Sequence, residues 1–152
     1  MDFNDTPEEA AYRAQVRKWL EANAPKTHYT GDPEGNGSSM VASKAWQAKK
    51  AAAGYAQITW PKEWGGQGGN PIQQVIFNQE EARYPVPPNP FQIGLGMCVP
   101  TVATFADQPT KDRFVGPALR GEEIWCQLFS EPSGGSDVAG SRTRAVRAPD
   151  GS

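Results

Sequence analysis

Apolar residues fall at Tyr12, Val16, Trp19 and Leu20 within an otherwise polar stretch, the three- and four-residue spacing of a helix that buries one face. The run Thr6-Pro7-Glu8-Glu9 supplies its start: a hydroxyl at the N-cap, proline at the first helical position, and a glutamate three residues on to complete a capping box. Pro25 closes the element. Residues 27–39 contain Gly31-Asp32-Pro33-Glu34-Gly35-Asn36-Gly37 and almost nothing to bury, which reads as exposed loop. A second helix, rich in Ala and Lys, is expected from Ser43 as N-cap to about Ala53, with Gly54 at its C′ position. Trp46 is its one large apolar residue, so its contact stripe should be narrow.

Between these helices and the next lies Ile58-Thr59-Trp60-Pro61-Lys62-Glu63-Trp64-Gly65-Gly66-Gln67-Gly68-Gly69, read as an ordered loop pinned by its two tryptophans. Asn70-Pro71 then starts a third helix, with Ile72, Val75, Ile76, Gln79 and Ala82 expected on its inner face. After the proline-rich break at 84–90, residues 91–105 are small and apolar without a charge, which predicts a buried helix kinked near Pro100. A shorter helix is expected over 110–119, with Phe114, Val115 and Leu119 inward and Gly121 ending it. The period then changes. Residues 123–129 are rich in β-branched and aromatic side chains and read as a strand. Residues 130–137 read as a turn-rich loop, and 142–146 as the start of a second strand.

Composition narrows the function classes. The 152 residues are enough for one domain with a sizeable core, and Gly (16) and Pro (14) account for the long ordered loops. The net charge is −2 with basic residues scattered, so no stripe marks a nucleic-acid footprint. No apolar run approaches the ~20 residues of a membrane span. The acidic start Met1-Asp2-Phe3-Asn4-Asp5 has neither the basic nor the apolar region of a secretory signal, which points to the cytoplasm. Cys98 and Cys126 could form one disulfide, and two reduced thiols are the expectation there. One histidine, His28, in a loop gives neither a zinc set nor a persuasive Ser-His-Asp triad. The glycine run at 65–69 fails the phosphate-loop templates: Pro71 stands where the third glycine of G-x-G-x-x-G belongs, and no Lys-Ser/Thr pair follows.

Ser130-Glu131-Pro132-Ser133-Gly134-Gly135-Ser136-Asp137-Val138-Ala139-Gly140 closely resembles the first signature of the acyl-CoA dehydrogenases, filling each of its slots from Ser130 onward. Leu128 and Phe129, just before it, depart from the pattern. The Trp60–Gly68 stretch is similar to the Trp-Pro…Gly-Gly loop of these enzymes. Leu119, Gly121 and Glu122 resemble the end of the helix that precedes their first β-domain strand, although its usual Gly-Thr-x-Glu-Gln-Lys start is degraded to Ala106-Asp107-Gln108-Pro109-Thr110-Lys111. The fold class implied is mainly α: a helical N-terminal domain over residues 1–121, followed over 122–152 by the first strand or strands of a β-barrel domain.

The resemblance also implies chemistry. FAD would be the cofactor, held in part by Gln127, Phe129, Ser130, Gly135 and Ser136. Ser130 fills the slot whose hydroxyl reaches toward flavin N5, and Ser136 the slot near the pyrophosphate and the pantetheine of an acyl-CoA substrate. A donor beside N5 stabilises negative charge developing on the reduced ring. Asp137 is expected to shape the turn by accepting backbone N–H bonds. Glu131 has the residue type of a base, but the family's base is a glutamate of its C-terminal helical domain, so no catalytic residue is assigned to this chain. The implied reaction is α,β-dehydrogenation of an acyl-CoA thioester, with an electron-transferring flavoprotein as electron acceptor and a homo- or hetero-oligomer as the assembly. An acyl-CoA oxidase, a non-catalytic partner subunit, and a helical assembly module are the alternatives. Straight-chain, branched and steroid side-chain thioesters are all compatible with the resemblance.

Overall fold

Thr6 accepts a hydrogen bond from the Glu9 N–H (3.2 Å) while the Glu9 carboxylate accepts from the Thr6 N–H (2.7 Å), and the chain turns into α1, Pro7–Asn23. The structure is a computed structural model and describes residues 4–27, 38–144 and 146–149. The loop expected over 27–39 lies outside the described residues from position 28 to 37, His28 included.

The second helix, α2, spans Ser38–Ala52 and so begins five residues before the expected cap. Ser43 is not that cap. Its side chain is buried within the helix, and its hydroxyl lies in donating reach of two carbonyls, Ser39 O (2.8 Å) and Pro88 O (2.7 Å). A serine can sit mid-helix when its hydroxyl is satisfied by an earlier carbonyl, which makes it ambiguous with a cap in sequence. The buried stripe of α2 is accordingly polar as well as aromatic: Ser43, Trp46, Gln47 and Lys50. Past its end, the N–H groups of Gly54 and Tyr55 donate to Ala51 O and Lys50 O, the paired bonds that satisfy the last turn.

Helix α3, Pro71–Glu81, starts on a second capping box, Asn70 with Gln73. Its inner face differs from the expectation. Ile72 and Val75 are exposed, as are Gln79 and Ala82, and only Ile76 was placed correctly; Phe77 and Glu80 are buried beside it. The helix is rolled so that Glu80 faces α1, where arginines receive it.

The apolar stretch 91–105 is a helix with a defect in it. Gly94–Cys98 forms a π turn, with the Val99 N–H reaching back five residues to Gly94 O, and α4, Val99–Phe105, continues from there. Pro100 has no N–H to give, and its ring would crowd the carbonyl four residues earlier, so the widened turn before it accommodates the proline. Only one side of this helix is buried, through Phe91, Leu95, Val99 and Ala103. Ile93 and Met97 are each 47% exposed and Phe105 83%, so the absence of charge did not mean burial all round. Asp107 caps α5, Gln108–Leu119, two residues before the expected start.

Two apolar clusters result. One gathers Val16 and Leu20 of α1, Trp46 of α2, Phe77 of α3, and Tyr55 and Ile58. The other gathers Trp60, Phe91, Leu95, Val99, Val115 and Leu119. The tryptophan loop joins them, since Ile58 belongs to the first and Trp60, two residues on, to the second. The loop is folded back on itself by bonds from Gly68 N–H to Trp60 O (2.8 Å) and Gly69 N–H to Ile58 O (2.9 Å). Trp64 meets Trp60 edge-on, with ring centroids 6.1 Å apart. Gly66 is required here, because a Cβ at this position would lie 2.1 Å from Trp60 O.

Candidate functional site

The route from α5 into the signature segment is set by α2. Gln47 Nε2 donates to Leu119 O (2.9 Å) and Lys44 Nζ to Glu122 O (3.0 Å), satisfying carbonyls that the ending helix leaves free. Gly121 turns the chain with φ +75° where Gln47 and Phe91 leave no space for a side chain. From 121 to 128 burial then alternates residue by residue, the mark of an extended backbone. Trp125 turns inward, edge-on to Phe114 with centroids 5.4 Å apart, and its Cβ would lie 3.1 Å from a Cβ at Gly94. Cys126 O accepts from the Cys98 thiol at 3.7 Å, and both cysteines are free.

The strand expected over 123–129 therefore keeps its extended form, but among the described residues it has no ladder partner, nor have residues 142–144 and 146. A lone extended segment has nothing to bond with. Among the described residues none of the backbone groups of 127–130 bonds to another backbone group. An unpaired row of N–H and C=O groups is what a planar ligand edge with alternating donors and acceptors can bind.

The turn that follows is specific. Glu131 N–H donates to Gly134 O (2.9 Å) and Gly134 N–H to Glu131 O (3.1 Å), with Pro132 at the position where its fixed φ suits a tight turn. The turn brings Ser130 back over Gly135: a Cβ on Gly135 would stand 3.4 Å from Ser130 Oγ. Asp137 takes the turn-shaping role, its carboxylate accepting from Gly140 N–H at 3.1 Å. Gln127 is half-buried, while Phe129, Ser130, Gly135 and Ser136 are exposed. Four of the five sequence-predicted residues are thus exposed rather than set in an enclosed cavity. A cavity of about 740 Å³ lies elsewhere, between α2, Glu63–Gly65 and α5.

Glu131 is the residue that sequence reasoning undervalued. Its carboxylate accepts from Arg142 N–H (2.9 Å), Thr143 N–H (2.6 Å) and the Thr143 hydroxyl (2.5 Å). The Thr143 hydroxyl above all, with the two backbone N–H groups, holds this carboxyl below its ordinary range. The partners lie 11 and 12 residues away, and no short motif spans that distance.

Residues 6–122 match the family model described as acyl-CoA dehydrogenase, N-terminal domain. The chain belongs to the acyl-CoA dehydrogenase family. Acyl-CoA dehydrogenase IpdE1 of Mycobacterium tuberculosis is 35% identical over 139 residues, covering 88% of this chain and 36% of that relative. Acyl-CoA dehydrogenase FadE34 of the same organism is 40% identical over 105 residues, covering 69% of this chain and 14% of the relative. Among solved structures, the ChsE4–ChsE5 complex from Mycobacterium tuberculosis superposes with a TM-score of 0.69 at 28% identity, over 99% of this chain and 38% of that one. The Tcur3481–Tcur3483 steroid acyl-CoA dehydrogenase gives 0.68 at 24% identity, a likeness of fold. The chain spans about a third or less of the length of these curated relatives. Its helices are those of an acyl-CoA dehydrogenase N-terminal domain, and among the described residues no helix is long and apolar enough to cross a membrane.

Proposed function

We propose that this chain is the N-terminal part of a flavin-dependent enzyme that introduces a double bond between the α and β carbons of an acyl-CoA thioester. Residues 1–121 are its helical domain and 122–152 the entry into its middle β domain; the family match ending at 122 supports that boundary. Gln127, Phe129, Ser130, Gly135 and Ser136 form one wall of the FAD site, and Ser136 also faces the acyl-CoA. The observation that carries this reading is the unpaired backbone of 127–130 followed by a tight turn that folds Ser130 Oγ over Gly135. These features suit the group: an open backbone edge can bind the ring, a hydroxyl stands beside it, and glycine leaves room for close approach. FAD, when bound, supplies the redox chemistry. Within this chain, the backbone edge would orient the ring and the Ser130 hydroxyl would donate a hydrogen bond to it. Glu131, the carboxylate in the turn, is occupied by three donors and is not free to take a proton from substrate.

An electron-transferring flavoprotein is the electron acceptor, the setting is cytoplasmic, and the enzyme is an oligomer. A second reading, a partner subunit within a heteromeric dehydrogenase, is favoured by the likeness to a protein solved as the ChsE4–ChsE5 complex. With the wall on an open surface, the isolated chain should bind FAD weakly and turn over no substrate. Titrating millimolar FAD into the purified chain should move the amide resonances of residues 127–136 and leave those of α1 in place. No movement there would overturn the flavin wall, and stoichiometric flavin bleached by acyl-CoA would overturn the expectation that the isolated chain is inactive.

A further inference from the structure

The segment 130–143 is closed at both ends by a single residue. The backbone of Glu131 makes the reciprocal pair with Gly134, and its side chain holds Arg142 and Thr143. Between those two attachments lie Gly135, Ser136, the Asp137 turn and Gly140. Among the described residues no other side chain links the early part of this segment to its end. Asp137 bonds only three residues ahead, to Gly140. The described bonds of the segment run to its own residues, so its shape does not follow from helix packing.

We propose that Glu131 is a positioning residue, an ionised latch that fixes the turn so that Ser130 and Ser136 are presented together toward the cofactor. The chemistry suits a latch rather than a ligand. A carboxylate offers lone pairs for several donors at once, and two backbone N–H groups and one hydroxyl use them here. All three donors reach Oε1, and Oε2 only shares the Arg142 N–H, so glutamine keeps most of these bonds through its amide oxygen, whereas alanine removes them all. Because the carboxyl is held below its ordinary range, the latch is present above that range and is lost as pH falls through the lowered value. Losing it leaves Ser130 attached to its own turn but frees 142–143, and with them the stretch that carries Ser136. This inference rests on the flavin reading given above for what the turn is presented to, but not for the latch itself.

The test uses the 152-residue chain, E131A and T143V, with amide hydrogen exchange and FAD-induced shifts read on the same samples. In E131A the protection factors at Arg142 and Thr143 should fall about tenfold or more, as expected when a closed segment opens locally, with α1 unchanged. T143V, which keeps both backbone donors, should fall less, by about threefold. FAD-induced shifts at 130–136 should shrink in E131A by half or more. In the wild-type chain the protection should persist below the ordinary glutamate range and vanish at lower pH. Unchanged protection in E131A overturns the latch. Lost protection with undiminished FAD shifts overturns the positioning role and leaves the flavin reading standing. Lost protection with no FAD shifts even in the wild-type chain overturns the flavin reading, and the positioning role with it, while the latch holds.

Discussion

Three guanidiniums converge on Glu80, which is 1% exposed: Arg17 at 2.8 Å, Arg13 at 2.9 Å and Arg83 at 3.3 Å. Arg13 reaches on to Asp5 at 2.5 Å. The hydrogen bond from Arg17 leads in holding the Glu80 carboxyl below its ordinary value, against the opposing effect of burial. Glu80→Ala takes away the acceptor that Arg13 and Arg17 share, while Arg13 keeps Asp5 and Gln79, and should cost about 2 kcal/mol in denaturant unfolding. Arg83→Ala, at an exposed position, should cost under about 1 kcal/mol. The sign with pH follows from the lowered value: the Glu80 contribution is complete above the ordinary carboxylate range and is lost as pH falls through the folded value. Acid unfolding of Glu80→Ala should accordingly be shallower than that of the wild type. Tyr12 titrates the other way. Burial first, then the neighbouring Tyr55, pushes it up to about 12, and its hydroxyl donates to Gln67 at 3.1 Å. Stability linked to Tyr12 is present below its ordinary value and is lost as pH rises through about 12. Tyr12→Phe should therefore flatten the alkaline fall in melting temperature. The sequence located the helix that carries Glu80 but not the residue's orientation. Apolar count favoured Ile72 and Val75 as the inner face, and the arginines that reverse the choice sit more than sixty positions earlier.

Capped elements were the most legible ones. Thr6-Pro7 and Asn70-Pro71 announced α1 and α3 because a cap and its partner lie three residues apart, within reach of any reading of the sequence. The start of α2 was missed by five residues because Ser43 makes long-range bonds that resemble a cap in sequence. The 123–129 segment is legible as extended from its β-branched and aromatic side chains, and the signature that follows from its residue types. What could not be read was that its packing runs through Trp125 onto α5 and the π turn. That contact makes a test at this scale. A double-mutant cycle of Phe114→Ala and Trp125→Ala should return a coupling of about 1 kcal/mol, the worth of an edge-to-face pair beyond its buried area. A coupling near zero would mean that the ring pair adds nothing beyond its buried area to the hold on the extended segment.

Taken as one body, the described residues form two apolar clusters, and the tryptophan loop belongs to both. Ile58 packs in one and Trp60 in the other, and Gly66 permits the fold-back between them. Gly66→Ala forces its new methyl against Trp60 O, and should destabilise the chain by about 3 kcal/mol. More telling than the size is the form of the transition. Wild-type unfolding followed by circular dichroism and by tryptophan fluorescence should superimpose, whereas in Gly66→Ala the two curves should separate as the clusters uncouple.

The uncovered side of the helix that ends in α4 has a consequence in the test tube. Ile93, Met97 and Phe105, together with Leu128 at 85% and Phe129 at 66% exposure, put oily side chains in contact with water. With a net charge of only −2, colloidal repulsion between copies is weak. A purified sample should take up the dye ANS while still folded, and its light scattering should climb with concentration and with added sulfate. Replacing Phe105 and Leu128 with serine should lower both signals without moving the melting temperature, since neither side chain contributes to the core.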